Sequence, residues 1–259
     1  MNLHLREKVI VVTGGAKGIG EGISKVLASE SAMVAIVGRN ETDNLNVVEK
    51  IQAVGGHAFS FVAELNIPEE CTRIIKEIDK KFGKIDGLVN NAGVNDGISL
   101  ENGNYNDFLQ SLHKNLIHYY LMAQKVLPLL KKTKGSIVNI SSKVADTGQG
   151  GTSGYAAANG GRNALTREWA VELLPYGIRV NAIIVAECMT PLYENWLNTF
   201  PDPKQKLNEI TSKIPLEKRM TSVDEIANMT AFLLSNVSSH TTGQLIHVDG
   251  GYVHLDRSI

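Results

Sequence analysis

The sequence is poor in the residues that build disulfide frameworks and metal centres. Cys71 and Cys188 are its only cysteines among 259 residues. Two cysteines exclude a disulfide-rich framework and a thiolate zinc site. The seven histidines show no metal-ligand spacing, so we predict that the protein binds no metal.

Long apolar runs and a strong net charge are also absent. No stretch approaches the roughly 20 apolar residues of a membrane span, and the N-terminal residues lack the apolar core of a signal sequence. We therefore expect a cytoplasmic protein. A formal net charge of -1 gives no electrostatic reason to expect nucleic acid or an acidic membrane as a partner.

Short β-branched runs alternate with longer segments of helical period along the chain. This alternation is typical of βαβ units and predicts a doubly wound α/β fold, a parallel sheet of about seven strands with helices on both faces, in a single domain over residues 1–259. The predicted strands are Lys8–Thr13, Met33–Gly38, Ala58–Val62, Gly87–Asn90, Ser136–Ile140, Arg179–Ile184 and Gln244–Val248. Residues Tyr105–Leu130 are predicted as one helix, and the proline-rich stretch 185–215 as a lid over a substrate.

A glycine-rich turn follows the first predicted strand and opens the first helix. It reads Thr13-Gly14-Gly15-Ala16-Lys17-Gly18-Ile19-Gly20. Glycines allow the backbone N–H groups to approach a pyrophosphate closely, and a helix N-terminus favours its negative charge. The position of the turn, between a strand and a helix, predicts a dinucleotide site.

The spacing of the glycines resembles that of the short-chain dehydrogenase/reductase family, and further motifs occur in the family's order. These are Asn90-Asn91-Ala92-Gly93, Asn115 within Lys114-Asn115-Leu116, Ser141-Ser142, Tyr155 thirteen residues after Ser142, Val180-Asn181-Ala182 and Val248-Asp249-Gly250-Gly251. The resemblance spans nearly the whole chain. It implies an oxidoreductase that transfers a hydride between a nicotinamide cofactor and a secondary alcohol or carbonyl, and it implies a cofactor site formed by Gly14, Lys17, Gly18, Ile19, Gly20, Arg39, Glu64, Asn91, Gly93, Tyr155, Asn159 and Thr190.

By the same resemblance, four residues form the catalytic group. Tyr155 would be the acid/base, Ser142 would hydrogen-bond the substrate oxygen, and Asn115 would support a water relay. The family's fourth member, a lysine one helical turn after the tyrosine, is replaced here by Asn159.

The loss of that lysine puts turnover in doubt. A free phenol has a pKa near 10, so ionisation near neutral pH needs roughly 4 kcal/mol of stabilisation, which a neutral amide does not supply through charge. Arg162 and Lys143 are close in sequence, yet neither occupies the lysine's helical position. We predict slow turnover or a need for high pH, and a gain in kcat of orders of magnitude when lysine is restored at Asn159.

An acidic residue at the end of the second strand would bind the ribose diol and indicate NAD. This sequence has no carboxylate at that place. Arg39 at that end and Lys17 in the glycine turn could instead hold a 2′-phosphate. NADP(H) is therefore favoured, with NAD(H) as the alternative. Glu64 takes the place of an aspartate that the family often uses near the adenine.

The predicted lid suggests the substrate. Residues 186–196, 201–203, 211–216 and 251–257 resemble the sugar-oxidising branch typified by L-fucose dehydrogenase, with Thr190 matching a threonine that touches the nicotinamide carboxamide. A sugar needs hydrogen-bonding groups and often an aromatic platform. The predicted substrate residues are Ser142, Gln149, Tyr155, Glu187 and Trp196.

Two alternatives to a sugar dehydrogenase stay open. A 3-oxoacyl-thioester or hydroxysteroid reductase shares the same motifs and would need an apolar cleft under the lid. A cofactor-binding pseudoenzyme would bind the dinucleotide without turnover. For assembly, apolar residues on more than one side of the helix after Tyr155 predict a second covering surface, and the resemblance implies a homotetramer or homodimer.

Overall fold

A computed structural model describes residues 2–255. Its sheet has seven parallel strands in the order β3-β2-β1-β4-β5-β6-β7, as predicted. The strands are β1 Val9–Thr13, β2 Met33–Gly38, β3 His57–Val62, β4 Gly87–Asn90, β5 Ser136–Ser142, β6 Arg179–Val185 and β7 Leu245–Val248. Asp256 and Arg257, at the end of the sugar-branch resemblance, lie outside the described residues.

Ten α-helices occur in the described part of the chain. They are α1 Gly18–Ser29, α2 Glu41–Ala53, α3 Pro68–Phe82, α4 Tyr105–Leu112, α5 His118–Thr133, α6 Val144–Thr147, α7 Ser153–Glu172, α8 Pro191–Leu197, α9 Pro203–Thr211 and α10 Val223–Leu234. Within residues 2–255, none is long and apolar enough to span a bilayer.

Both faces of the sheet are covered, which explains why β1 is buried along its whole length. One core packs α1, α2 and α10 against the sheet, and the other packs α3, α5 and α7 against the opposite face. The strand order reverses between β1 and β4. In such folds ligands bind beyond the carboxyl ends of the strands at this reversal, so the site is sought there.

Two departures from the predicted elements lie at that edge. β5 extends two residues further than predicted, because Ser141 and Ser142 pair with Ile184 and Val185 of β6. This extension places Ser142 at the last position of the strand. The predicted single helix 105–130 is in fact interrupted by a π-helical segment, His113–Ile117, so that prediction was wrong at this point.

Residues 185–215 are not an irregular loop throughout. They contain the two short helices α8 and α9, each with a proline in its first turn and a capping side chain at its start: Thr190 accepts from the Tyr193 N–H, and Asp202 accepts from the Gln205 N–H. Pro191 and Pro203 therefore begin helices rather than interrupt them. The fixed φ of proline suits the first helical position, where its missing N–H is not needed.

Candidate active site

The glycine turn forms a cradle that side chains would fill. Gly14 and Gly18 have φ values of 61° and 52°, a left-handed conformation that favours glycine. At Gly20, an added Cβ would lie 2.1 Å from the Gly14 carbonyl oxygen, which no real contact permits. The turn and the N-terminus of α1 therefore present bare backbone, as a pyrophosphate requires, and the residues fit a dinucleotide.

The cradle is joined to the end of β4 by hydrogen bonds. The Asn91 main-chain N–H donates to Thr13 Oγ1 at 2.9 Å, and its side-chain Nδ2 donates to the carbonyl oxygens of Thr13 at 2.9 Å and Gly14 at 3.2 Å. Thr190 approaches from the other side, since a Cβ on Gly18 would lie 3.2 Å from its side chain. The structure thus brings Gly14, Gly18, Asn91 and Thr190 together. Ile19 is half-buried and packs on the core of α1.

The two cations predicted to read a 2′-phosphate are exposed at the start of α2. Lys17 Nζ lies 2.7 Å from Asp43 Oδ2, and Arg39 Nη1 lies 3.9 Å from Glu64 Oε2. The Lys17 and Arg39 side chains are 68% and 80% exposed. Exposed ion pairs contribute little, so both cations are available to an anionic group.

Asn115 lies inside the π-helical segment and is fully buried. Its Oδ1 accepts from the Val94 N–H at 2.8 Å, and its Nδ2 donates to the Ser111 carbonyl at 3.0 Å. Single π-helical turns inside α-helices are frequent at functional sites. Here the segment directs Asn115 toward the loop that follows β4 and Gly93.

Tyr155 sits in the first turn of α7, and Ser142 ends β5. Both are half-buried. Ser142 Oγ accepts only a long bond, 3.5 Å, from the Val144 N–H, and the Tyr155 hydroxyl makes no hydrogen bond to any residue from 2 to 255. Both hydroxyls can therefore meet a substrate oxygen, as their predicted roles require.

Asn159 is fully buried and bonded locally. Its Nδ2 donates to the Tyr155 carbonyl oxygen at 2.8 Å. Its Oδ1 accepts from Arg162 Nη1 at 3.0 Å and, more weakly, from Ser141 Oγ at 3.5 Å. Within the described chain, the amide is thus committed to protein partners on both its atoms.

Sequence reasoning missed the importance of Arg162. This side chain is only 3% exposed, and its guanidinium carbon lies 4.2 Å from the Tyr119 ring centroid and 6.0 Å from that of Tyr155. Residues three and seven positions apart share a helix face, so Arg162 lies on the face of Tyr155 and Asn159. The sequence did contain a sign of this role, because Arg162 falls on the same predicted helix face as Tyr155, where a charged residue is unusual unless it is used.

Two neighbours of Arg162 stay neutral at pH 7. Burial, together with the Arg162 charge, lowers the pKa of His118 to about 4. Burial raises the pKa of Tyr119, whose hydroxyl donates to the Ile140 carbonyl at 3.0 Å. The rings of His118 and Tyr119, tilted by 54° with centroids 5.0 Å apart, therefore form an uncharged wall on this side of the site.

A second polar group joins the ends of β5 and β6. Lys143 forms an ion pair with Glu187, and their side chains are 9% and 11% exposed. The Tyr193 hydroxyl donates to Glu187 Oε2 at 2.5 Å, and burial, followed by this bond to Glu187, raises the pKa of Tyr193. The predicted substrate residue Glu187 is therefore held in place by two partners.

The remaining predicted substrate residues are on the surface. Trp196 of α8 is 44% exposed and contacts the rings of Tyr193 and Phe200 edge-on at 5.2 and 4.9 Å between centroids. Gln149 is exposed in the loop between α6 and α7. The structure does not bring Gln149 and Trp196 into contact with each other, so their joint action on a substrate stays a prediction.

Comparison with known proteins agrees with the fold. A family model described as enoyl-(acyl carrier protein) reductase matches residues 14–253. A 3-oxoacyl-(acyl-carrier-protein) reductase FabG of Thermotoga maritima is 34% identical, with 97% of this chain and 100% of the relative covered. An L-fucose dehydrogenase of Bos taurus is also 34% identical, with 97% of this chain and 91% of the relative covered.

A solved structure shares the fold throughout. The crystal structure of Cj0485 dehydrogenase superposes with a TM-score of 0.94 at 45% identity, covering 100% of this chain and 99% of that one. The named activities of these proteins span acyl-thioester reduction and sugar oxidation, so similarity alone leaves the substrate class open.

Proposed function

Because the chain belongs to the short-chain dehydrogenase/reductase family and is an oxidoreductase acting on CH–OH groups, we propose that it is an NADP(H)-dependent dehydrogenase of a sugar similar to L-fucose. The proposal depends mainly on one observation. Lys143, which directly follows Ser142, pairs with Glu187, and Glu187 accepts a bond from Tyr193, so the end of β5 is polar where an acyl-thioester or steroid reductase needs an apolar cleft. Buried polar groups favour a ligand that hydrogen-bonds with them.

The chemical step divides between two hydroxyls. Ser142 hydrogen-bonds the substrate oxygen, and Tyr155 removes the hydroxyl proton in the oxidising direction and returns it in the reducing one. When bound, the nicotinamide accepts the hydride from the substrate carbon. The glycine cradle and Asn91 would hold the dinucleotide beside this pair, and Thr190 and α8 would cover it as part of a lid formed by residues 185–215.

The preference for NADP(H) is proposed from Lys17 and Arg39. The end of β2 places Arg39 where NAD-specific relatives of the fold carry an acid, and both cations are exposed beside it. Replacing Arg39→Asp should raise the Kd of NADP+ by about 10- to 100-fold, since it removes a charge-assisted bond, and should lower or leave unchanged that of NAD+. An unchanged preference, measured by cofactor titration, contradicts this assignment.

The substrate class is tested with a panel of purified compounds. We expect oxidation of L-fucose and related aldoses with NADP+, and a loss of about 10²- to 10⁴-fold in kcat in Tyr155→Phe. A higher kcat/KM for a 3-oxoacyl thioester or a hydroxysteroid overturns the sugar proposal. Cofactor binding with no turnover anywhere in the panel favours the pseudoenzyme alternative.

A second copy of the chain is the proposed partner. The helices α5 and α7 pack on the sheet yet leave Tyr120 and Val171 exposed at 49% and 68%, and Leu174, in the turn after α7, is 58% exposed. Apolar residues on the outer faces of two neighbouring helices favour a homotetramer or homodimer. Size-exclusion chromatography with light scattering distinguishes these assemblies from a monomer.

A further inference from the structure

Arg162 is a buried cation without a carboxylate partner in residues 2–255. Its Nε donates to the Asn115 carbonyl at 2.6 Å, and its Nη1 donates to the Ile140 carbonyl at 3.1 Å and to Asn159 Oδ1 at 3.0 Å. All three acceptors are neutral oxygens. A buried charge is strongly unfavourable unless it is paired, so this placement calls for an explanation.

One nitrogen of the guanidinium has no hydrogen-bond partner among residues 2–255. Arg162 Nη2 is buried and makes no hydrogen bond within the described residues. It lies beside Gly93 at the cofactor edge, where an added Cβ would come within 2.8 Å of it. Buried donors are nearly always satisfied in folded proteins. An unsatisfied, charged donor at this edge indicates that its counter-charge arises during the reaction.

The groups that face Arg162 identify that counter-charge. From α5 these are His118 and Tyr119, and from α7 itself Tyr155; Asp96, after β4, bonds instead to Ser111 at 2.8 Å. His118 is neutral at pH 7, and Tyr119 stays protonated because it is fully buried and donates to the Ile140 carbonyl. The remaining ionisable group is the Tyr155 phenol, 6.0 Å from the guanidinium carbon to the ring centroid.

We infer that Arg162 supplies the positive charge that stabilises the Tyr155 phenolate, in place of a lysine at position 159. The inference rests on the proposed function, because it assumes that Tyr155 is the acid/base. Arg162 acts through Tyr155, so it is a positioning residue. The positive charge therefore comes from a residue seven positions after Tyr155 on α7, whereas the family's lysine lies four positions after the tyrosine. The Arg162 guanidinium is hydrogen-bonded to the Asn159 amide that occupies the lysine's position.

Asn159 is the necessary companion of this arrangement. Its Oδ1 accepts from the guanidinium, while its Nδ2 holds the Tyr155 carbonyl. A lysine at 159 would place a second cation against Arg162, and like charges in a buried site oppose each other. A neutral residue at 159 is therefore what allows the Arg162 cation to occupy this buried position.

The test is a double-mutant cycle between these two positions, measured as the pH dependence of NADP+-linked L-fucose oxidation. Arg162→Met should lower kcat at pH 7 by about 10- to 100-fold and move the midpoint of the rising limb of the pH profile to higher pH, because the positive charge beside the Tyr155 ring is lost. Arg162→Lys, which keeps the charge, should retain the midpoint. Adding Asn159→Lys should rescue Arg162→Met. In the native background the same change should not give the large gain in kcat expected from the sequence, because Arg162 already supplies the charge.

A purely structural role for Arg162 predicts different results. In that case Arg162→Met would lower the melting temperature, but the protein that still folds would keep the native pH midpoint of kcat. Asn159→Lys would then change kcat by the same factor in the native chain and in Arg162→Met. Either of these two results overturns the inference.

A spectroscopic measurement keeps the inference testable if Arg162→Met does not fold or if no sugar is oxidised. The tyrosinate absorbance of the native chain with NADP+, minus that of Tyr155→Phe, isolates one phenol among the seven tyrosines. We expect this phenol to ionise at a lower pH in the native chain than in a second neutral variant, Arg162→Gln. Equal midpoints overturn the role of Arg162, whereas failure of the sugar panel alone overturns only the proposed substrate.

Discussion

The cofactor edge and the catalytic edge of the same sheet are built in different ways. Around β1 and β4 the site is formed mainly by backbone: glycines at Gly14, Gly18 and Gly20, with the Asn91 side-chain nitrogen bonded to the carbonyl oxygens of Thr13 and Gly14. Around α5 and α7 it is formed by buried side chains, and within residues 2–255 two ionisable ones, His118 and Arg162, each leave a buried nitrogen without a partner.

The difference shows how binding and chemistry place opposite demands on a fold. A pyrophosphate is held by N–H groups whose positions follow from local backbone conformation. Proton transfer needs charges placed in a dry environment, which is unfavourable for folding and is kept only where function uses it. Changes at the cofactor edge should therefore act through shape, and changes at the catalytic edge through charge.

The largest effect is expected from a methyl group at the cofactor edge. Gly20→Ala places a Cβ 2.1 Å from the Gly14 carbonyl oxygen, so the turn must move and the cradle is lost. We expect the Kd of NADP+ to rise by about 100-fold or more, because the bonds to the pyrophosphate come from this turn. Fluorescence titration of the cofactor measures the change.

The matched control for that variant lies in the catalytic helix. Gly160 of α7 has no atom within 4 Å of an added Cβ. Gly160→Ala should leave the Kd unchanged and stabilise the chain by about 0.5–1 kcal/mol, since alanine is the better helix former. Equal effects of the two alanines on the Kd would remove the distinction between a shape-determined cradle and the rest of the site.

An effect of several kcal/mol is expected at the polar end of β5. Glu187→Gln leaves the buried Lys143 ammonium without its counter-ion, which should lower the free energy of unfolding by about 3 kcal/mol. Urea unfolding measures the loss. Adding Lys143→Met should recover most of it, because no uncompensated charge then remains.

The control for this pair is an exposed one on α9. Glu209 lies 3.5 Å from Lys206, with side chains 52% and 33% exposed. Glu209→Gln should change stability by less than about 1 kcal/mol. If the double variant at 143 and 187 were no more stable than Glu187→Gln, charge would not be the reason for the loss.

A smaller effect concerns pH and His118. Burial lowers its pKa to about 4 in the folded chain, against about 6.5 when unfolded. As the pH falls below 6.5, the unfolded chain takes up a proton that the folded chain takes up only near pH 4. The free energy of unfolding should therefore decrease by about 2 kcal/mol between pH 7 and 5 through this group.

His118→Leu should remove that part of the pH dependence, whereas His57→Leu at the exposed start of β3 should not. Thermal melts at pH 7, 6 and 5 provide the comparison. Parallel pH dependences in the native chain and His118→Leu would show that the catalytic wall does not stay neutral.

Much of the fold followed from the sequence. All seven strands lie where the β-branched runs predicted them, with differences of one or two residues at their ends. The reason is that strands covered on both faces must be apolar at nearly every position. The glycine cradle was equally readable, since its conformation depends on residues that are adjacent in the chain.

The π-helical interruption at Asn115 was not predicted. A helix of 3.6 residues per turn and one with a single wider turn have almost the same apolar pattern over this length. The interruption became clear only from the packing of Asn115 against the Val94 N–H and the Arg162 guanidinium. Both partners are far from Asn115 in sequence.

The sequence by itself determined the parallel sheet, the dinucleotide cradle and the presence of a phenol and a hydroxyl at the family's spacing, because each of these is a local or periodic property of the chain. Only the tertiary structure decided how the missing lysine is offset. Whether Arg162 points to solvent or into the site depends on the carbonyl groups of Asn115 and Ile140, which the π-helical segment and β5 bring to it across the core. The reason is that the interaction between two charges depends on the distance between them in space. The spacing of residues along one helix does not give that distance.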